Sequence, residues 1–243
     1  MNELLFILIG FVVTFIGTLA GSGGLIGMPA LMHFGVPIHS VIATAKFANT
    51  ISSFSSFFQL LKQKKILFKS AAILIPFAAC GGIVGGLITN QLSEKQMTTI
   101  AIILLSGAFI LTLLKKPTFK ENNEWVLPKK ILPFLFIISV YDGMFGPGQA
   151  TLLMYTFILS GTSFLQAVAY TRFQTFISCL FAFIPYAWHG NFIWDIAIFY
   201  AIGSLSGSIV AIKIAPKLSI QFLKRLLHFI TILLILSLLL RLH

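Results

Sequence analysis

Charged residues are scarce in this sequence, and acidic residues are the scarcest of them. Only 9% of the 243 residues are charged, with six acidic and 17 basic side chains. An ordinary soluble domain is about 25% charged, so there is too little charge here to cover a surface that faces water. This scarcity argues against a soluble enzyme and against a soluble binding domain.

The sequence also lacks the motifs of metal, redox and nucleotide chemistry. Its two cysteines, Cys80 and Cys179, lie far apart inside apolar runs, without the spacing of a metal site or a redox pair. The glycine-rich segment 21–24 lacks the Gly-Lys-Ser/Thr ending of a nucleotide-binding loop. We therefore predict no catalytic residue, no metal site and no cofactor, and we do not expect the chain to be an enzyme.

Long apolar runs are what the sequence has instead. Hydrophobic residues make up 58% of the chain, and the mean hydropathy is +0.98. A helix needs roughly 20 largely apolar residues to cross a bilayer, and isolated spans must be helical to satisfy their backbone hydrogen bonds in lipid. The pattern predicts an all-α polytopic membrane protein with about 8–10 membrane segments. The apolar runs are 4–20, 25–36, 40–61, 71–88, 97–114, 131–145, 150–159, 164–188, 192–212 and 222–240.

The net charge of +11 does not indicate a nucleic-acid-binding protein. Most basic residues lie in short gaps between apolar runs, as they do in the cytoplasmic loops of membrane proteins. The expected partners are the lipid bilayer, which the chain crosses several times, and a small solute. The sequence leaves open whether the protein forms a homo-oligomer.

The two halves of the chain resemble each other. A hydrophilic linker at 115–130 separates a first repeat, residues 1–114, from a second repeat, residues 131–243. The glycine breaks of the two repeats lie 125 positions apart. An offset of 126 then pairs Met28 with Met154, Gly35 with Gly161 and Lys46 with Arg172. Each repeat is predicted to contain a glycine-broken helical hairpin and three long transmembrane helices, a construction typical of secondary transporters.

Corresponding loops of the two repeats differ in charge. Loop 62–69 has four Lys residues and its counterpart at 189–191 has no Lys or Arg; after the next span, Lys95 stands alone whereas 213–225 has four basic residues. Because basic loops stay in the cytoplasm, the repeats are predicted to be inverted, with the N-terminus outside. A count of eight single spans fits these charges less well. Whether the short second arms cross the membrane or re-enter stays open.

The glycine breaks are the first candidate binding feature. They place Gly21, Gly23 and Gly24 in the first hairpin, and Gly146 and Gly148 in the second. An interrupted helix presents free backbone N–H groups and a partial positive charge at its N-terminus, which suits an anion. The alternative interpretation is close helix packing through small residues.

Two cations at equivalent positions are the second candidate feature. Lys46 and Arg172 lie inside apolar runs, where a charged side chain costs on the order of 3 kcal/mol by insertion scales. We predict that they form one anion site approached from both repeats. The alternative is that each side chain snorkels to the membrane surface. The expected polar lining consists of Asn49, Gln149, Gln166 and Gln174.

Asp142 is the one acidic residue inside a predicted hairpin arm, just before the second glycine break. Two roles are open for it. It carries a proton whose movement is coupled to transport, or it neutralises Arg172 in a static ion pair.

At these residues the sequence resembles the TauE/SafE family of sulfite exporter-like permeases, over essentially the whole chain. The motifs that carry the resemblance are Ala20-Gly21-Ser22-Gly23-Gly24 with Pro29, Ala43-Thr44-Ala45-Lys46 with Asn49, and Gly143-Met144-Phe145-Gly146-Pro147-Gly148. The resemblance implies an inner-membrane permease that moves small anions such as sulfite or organosulfonates. This chain departs from the family pattern at Leu25, where a third glycine is common, at Gln149-Ala150, where Thr-Gly is more usual, and at Thr175, which stands opposite Asn49.

The leading hypothesis is therefore a secondary transporter of small anions that works by alternating access, with protons as a candidate coupling ion. Lys46 and Arg172 would attract the anion and the two broken hairpins would hold it. One alternative is a cation or metal permease, against which the buried cations and the scarcity of carboxylates argue. Another is a membrane scaffold or assembly protein that transports nothing.

Overall fold

The computed structural model describes residues 2–20, 23–64, 66, 68–89, 127–190 and 192–219, with isolated positions between 93 and 103 and between 221 and 236. All regular secondary structure in these ranges is helical. Gly21 and most of three predicted segments, namely the linker 115–130 and the runs 97–114 and 222–240, lie outside the described residues.

The helices follow the predicted runs closely. The first half contains α1 (Asn2–Ala20), α2 (Gly24–His33), α3 (Ile38–Lys62), α4 (Phe68–Ala72) and α5 (Ile75–Ile88). The second half contains α6 (Leu132–Met144), α7 (Gln149–Leu159), α8 (Phe164–Trp188) and α9 (Trp194–Ile214). Short 3-10 turns precede α6 at Lys129–Ile131 and follow α9 at Ala215–Lys217.

The predicted run 71–88 differs from the structure in two ways. The helical segment begins earlier, at Phe68, and it is interrupted between α4 and α5. Pro76 lies in the first turn of α5. Proline has no N–H to donate and its ring crowds the preceding turn, so a continuous helix is not favoured at this position.

Three helical segments are long and apolar enough to cross a membrane: Phe68–Ile88, Phe164–Trp188 and Trp194–Lys217. Two shorter apolar helices, Glu3–Leu19 and Gln149–Leu159, accompany them. The described part of the chain is therefore all-helical with several apolar helices, as predicted. The number of spans and the inverted orientation of the repeats stay predictions.

Apolar side chains cover the outside of the helices, and polar side chains lie inside. Leu4, Leu8 and Val12 form a stripe along α1 and are 65%, 52% and 44% exposed. In contrast, Ser52 and Gln174 are completely buried. A soluble protein rarely exposes such continuous apolar surface, whereas a protein surrounded by lipid directs its polar groups toward the interior.

The two halves of the molecule are interleaved rather than set side by side. Helix α3 packs against α8 at the centre. Around this pair, α1 packs on α9 and, in the same way, α6 packs on α5. Two further contacts also match, α3 with α9 and α8 with α5. The first helix of each half therefore finds its main partner in the other half.

Close backbone approaches through glycine show the same correspondence. A Cβ atom on Gly207 in α9 would collide with the carbonyl oxygen of Phe11 in α1. A Cβ atom on Gly81 in α5 would lie 3.0 Å from the carbonyl oxygen of Phe136 in α6. Gly81 and Gly207 are equivalent positions of the two repeats at an offset of 126, and Phe11 and Phe136 are equivalent at an offset of 125. The offsets read from the sequence thus hold in the packing of these helices.

Candidate functional site

The second glycine break is a turn that requires glycine. Helix α6 ends at Met144, and Gly146 and Gly148 adopt positive φ angles of 98° and 81° before α7 begins. Glycine adopts these left-handed angles without the steric cost that a Cβ atom brings. The Tyr141 hydroxyl donates a hydrogen bond of 2.5 Å to the Pro147 carbonyl oxygen and holds the turn from inside.

The first glycine break faces the second one. Helix α1 ends at Ala20 and α2 begins at Gly24. A Cβ atom on Gly24 would lie 3.2 Å from Cα of Pro147, so the two breaks come close to contact at this point. Helices α2 and α7 therefore both begin at one place inside the protein. The unpaired N–H groups of a helix's first turn make such a place favourable for negative charge.

A cavity of about 60 Å³ lies between the two breaks. Its lining includes the described glycines of both breaks, the two buried cations, Asp142 and two of the four expected polar residues. A single water needs roughly 10–15 Å³ of such space, so the cavity has room for a few waters or one small anion. The predicted residues in its wall are Gly23, Gly24, Lys46, Asn49, Asp142, Gly146, Gly148, Gln149 and Arg172.

Asp142 is paired with Lys46 from the other half of the chain. The Lys46 Nζ atom lies 2.7 Å from Oδ1 of Asp142, and it also donates to the Asp142 main-chain carbonyl oxygen. The other carboxylate oxygen, Oδ2, accepts a 2.5 Å hydrogen bond from the Ser178 hydroxyl and lies 3.4 Å from the Cys179 sulfur. The alternative that Asp142 neutralises Arg172 is therefore wrong, because Lys46 holds this carboxylate.

Arg172 is buried, and no described carboxylate forms an ion pair with it. Its side chain is 4% exposed, and one terminal nitrogen donates to the Ser52 hydroxyl at 3.1 Å. The described residues offer no hydrogen-bond partner to the Nε atom. Among the described residues, Lys46 and Asp142 form the one ion pair. Since Lys46 is also only 2% exposed, neither cation snorkels to the surface.

The charges around the cavity do not balance. Lys46 and Arg172 bring two positive charges and Asp142 brings one negative charge, so the described groups leave one positive charge in excess. An uncompensated charge is costly in a low-dielectric interior. The arrangement is therefore suited to an anion that enters the cavity.

Two of the expected polar residues lie elsewhere. Gln166 forms a capping box with Ser163 at the start of α8. Gln174 donates to the Leu135 carbonyl oxygen at 2.8 Å and to the Ser139 hydroxyl at 2.9 Å. Both side chains hold helices in place. Contrary to the prediction, they do not line the cavity.

Sequence reasoning missed several residues of the site. Thr14, Gly17 and Tyr200 line the cavity, and Thr175 does so while accepting a 3.1 Å hydrogen bond from Gln149. Hydroxyl residues are common inside membrane helices, so they gave no distinct signal. The repeat offset could have pointed to Ser52, which accepts a hydrogen bond from Arg172. An offset of 126 pairs Ser52 with Ser178, and Ser178 donates to the carboxylate of Asp142.

The family model described as sulfite exporter TauE/SafE matches residues 6–238 of the chain. A protein from Sinorhizobium sp, named probable membrane transporter protein ORF9, is 28% identical over 236 residues, covering 94% of this chain and 89% of that protein. A probable membrane transporter protein from Haemophilus influenzae is 27% identical over 211 residues, covering 84% and 82%. One from Escherichia coli is 25% identical over 199 residues, covering 80% and 73%. No solved structure matches the chain.

Proposed function

Since this chain belongs to the sulfite exporter TauE/SafE family, we propose that it is a secondary transporter of small anions across the cytoplasmic membrane. Sulfite is the substrate that the family description names, and we propose small organosulfonates beside it as chemically related anions. The membrane transporter class rests on the family and on the relatives that share most of the chain. The nature of the substrate rests on the cavity itself.

The observation that carries the proposal is the buried guanidinium of Arg172 in the wall of the cavity. A cation at this depth is costly unless it is paired, and the described residues offer it one serine hydroxyl and no carboxylate. A small oxyanion could accept hydrogen bonds from the guanidinium, including from the Nε atom that now has no partner. The N-termini of α2 and α7 would add to the attraction.

The matching contacts of the two halves support alternating access by inverted repeats. In such transporters the site lies where the repeats meet, and one repeat rocks against the other around it. Here the cavity takes its wall from both halves, with Lys46 on α3 and Arg172 on α8. Rocking of α3 against α8 would open the cavity to one side and then to the other. The site residues are then Gly21, Gly23, Gly24, Lys46, Asn49, Gly146, Gly148, Gln149 and Arg172.

Transport by purified protein in liposomes tests the proposed function. Labelled sulfite, thiosulfate and methanesulfonate would be offered to liposomes with and without protein, under an imposed proton gradient. We expect saturable uptake of at least one anion, with competition by the others. Uptake of divalent metal ions that anions do not inhibit would favour the cation permease, and movement of no solute would favour the scaffold.

Proton coupling through Asp142 is the second part of the proposal. Protonation of its carboxyl would release Lys46, and the cavity would then carry two uncompensated cations. Anion entry should therefore speed up as the pH falls. With Asp142→Asn, Lys46 is free at every pH, so we expect the rate of methanesulfonate uptake to become independent of pH. Methanesulfonate is chosen because it stays fully ionised at every pH of the experiment, so a change of rate with pH comes from the protein.

Asp195→Asn is the matched control for this prediction, since Asp195 is an exposed carboxylate in the first turn of α9. It should keep the pH dependence of the unmodified protein. If Asp142→Asn also kept that dependence in full, Asp142 would not be the coupling residue.

A further inference from the structure

The carboxylate of Asp142 sits in a complete set of partners. It is held by a cation from the opposite half, Lys46, and by two neighbours on α8, the Ser178 hydroxyl and the Cys179 sulfur. Each of these four residues has a counterpart in the other repeat, at the offsets that the glycine contacts obey. The surroundings of Asp142 thus show how this fold holds a buried negative charge: with one cation and two neighbouring side chains of α8.

The counterpart set in the first half has every member except the carboxylate. Arg172 stands at the position of Lys46, and Ser52 and Ser53 stand at the positions of Ser178 and Cys179. Arg172 donates to the hydroxyl of Ser52, which is the equivalent of the serine that donates to the Asp142 carboxylate. The position of Asp142 is taken by Gly17, which has no side chain and lines the cavity.

Two buried polar atoms in this set have no hydrogen-bond partner in the described part of the chain. They are the Nε atom of Arg172 and the hydroxyl oxygen of Ser53, whose residues are 4% and 0% exposed. Buried polar groups are almost always hydrogen-bonded, and an exception calls for an explanation. The equivalent groups in the other half are the ones that surround the Asp142 carboxylate. A negatively charged group bound between Arg172 and Ser53 would account for both atoms, and the offset of 125 makes Gly17 the equivalent of Asp142 at this place.

We propose that the anionic group of the substrate binds beside Gly17, at the position that the Asp142 carboxylate fills in the other half. The protein supplies one anion of a near-symmetric pair, and the substrate supplies the second. This inference rests on the proposed function and specifies where and how the anion is held.

The same geometry defines the class of substrate. A carboxylate-sized or sulfonate-sized head group with one negative charge would bring the described charges of the site to zero. A dianion such as sulfate would leave one negative charge in excess inside the protein. An uncompensated buried charge of either sign is unfavourable because its desolvation is not offset. The cavity of about 60 Å³ leaves room for a small organic part only. We therefore expect methanesulfonate and acetate to bind more tightly than sulfate.

Gly17→Asp compared with Gly17→Asn tests the inference. A Cβ atom on Gly17 would lie 3.1 Å from the backbone nitrogen of Gly23, so both variants require the same small shift of the first break. They differ in charge alone. In Gly17→Asp the new carboxylate would occupy the proposed position and pair with Arg172. We expect its affinity for methanesulfonate to fall at least about tenfold below that of Gly17→Asn, measured with labelled anion on purified protein in nanodiscs.

Ser53→Ala provides a second measurement that requires no extra space. Removing an unpaired buried hydroxyl should not lower the unfolding temperature of the anion-free protein. It should raise the dissociation constant for methanesulfonate about threefold or more. Ser206→Ala, on α9, is the control, because the Ser206 hydroxyl donates to main-chain carbonyl oxygens of its own helix, and this variant should bind as the unmodified protein does.

The outcomes separate this inference from the proposed function. If the unmodified protein bound none of the anions, the proposed function would fail. If it bound methanesulfonate but Gly17→Asp and Gly17→Asn bound equally well, the protein would still handle anions and the position beside Gly17 would be excluded. Should neither glycine variant fold, unchanged binding by Ser53→Ala would exclude it instead.

Discussion

Arg172→Gln is expected to stop anion uptake while leaving the anion-free protein at least as stable as before. Glutamine keeps a hydrogen bond to Ser52 within reach but removes the charge that remains uncompensated in the cavity. Truncating one member of a buried charge pair costs about 2–5 kcal/mol of binding energy, which corresponds to a loss of roughly 30-fold or more in affinity. Initial rates of methanesulfonate uptake by proteoliposomes would measure the loss.

The two effects of this substitution have opposite signs, and this distinguishes a binding residue from a structural one. A structural cation would leave its partner groups unpaired when replaced, and the unfolding temperature would fall. Removal of an unpaired charge relieves a desolvation cost in the empty protein. Lys62→Gln, at the exposed end of α3, is the control for loss of positive charge and should transport normally. A stable Arg172→Gln protein with unchanged uptake would contradict the proposed site.

Lys46→Met is expected to produce the largest loss of stability among these substitutions. Methionine keeps the length of the lysine side chain and leaves the Asp142 carboxylate buried without its cation. Breaking a buried ion pair from one side costs about 3–5 kcal/mol. The Ser178 hydroxyl would still donate to this carboxylate, but it brings no compensating charge. Thermal unfolding in detergent micelles, read by tryptophan fluorescence or circular dichroism, would measure the change.

A double substitution isolates the pair from other effects of Lys46. Lys46→Met combined with Asp142→Asn removes both charges, and we expect it to recover most of the stability that Lys46→Met loses. Lys62→Met is the control, since Lys62 lies over the Phe58 ring at 4.5 Å on the exposed end of α3. If the double variant were no more stable than Lys46→Met, the ion pair would not be what stabilises this part of the fold.

The broad architecture could be read from the sequence because lipid leaves few alternatives. Apolar runs long enough for a bilayer must be helical, and α8 begins and ends where its run does, at Phe164 and Trp188. Proline accounts for an interruption that the apolar pattern does not predict. Pro76 lies where the run 71–88 divides into α4 and α5, and the effect is visible in the sequence once proline's missing N–H donor is considered.

The repeat offset was the part of the sequence that predicted the site. It marked Lys46 and Arg172 as related, and both line one cavity. The partner of Asp142 was not predictable in this way, since the offset relates equivalent residues and says nothing of which half a side chain reaches into. Asp142 and Lys46 lie 96 positions apart and meet because the Lys46 side chain on α3 reaches the end of α6 in the interior.

The interleaving of the two halves has a consequence for biosynthesis. Helix α1 is made first, yet its main partner is α9, and Gly203 and Gly207 of α9 bring the two backbones together. A helix inserted into the bilayer during translation must therefore wait in lipid while nearly 200 further residues are made. The apolar stripe of Leu4, Leu8 and Val12 keeps α1 stable in that interval. We therefore expect the contact between α1 and α9 to form only after α9 has been synthesised.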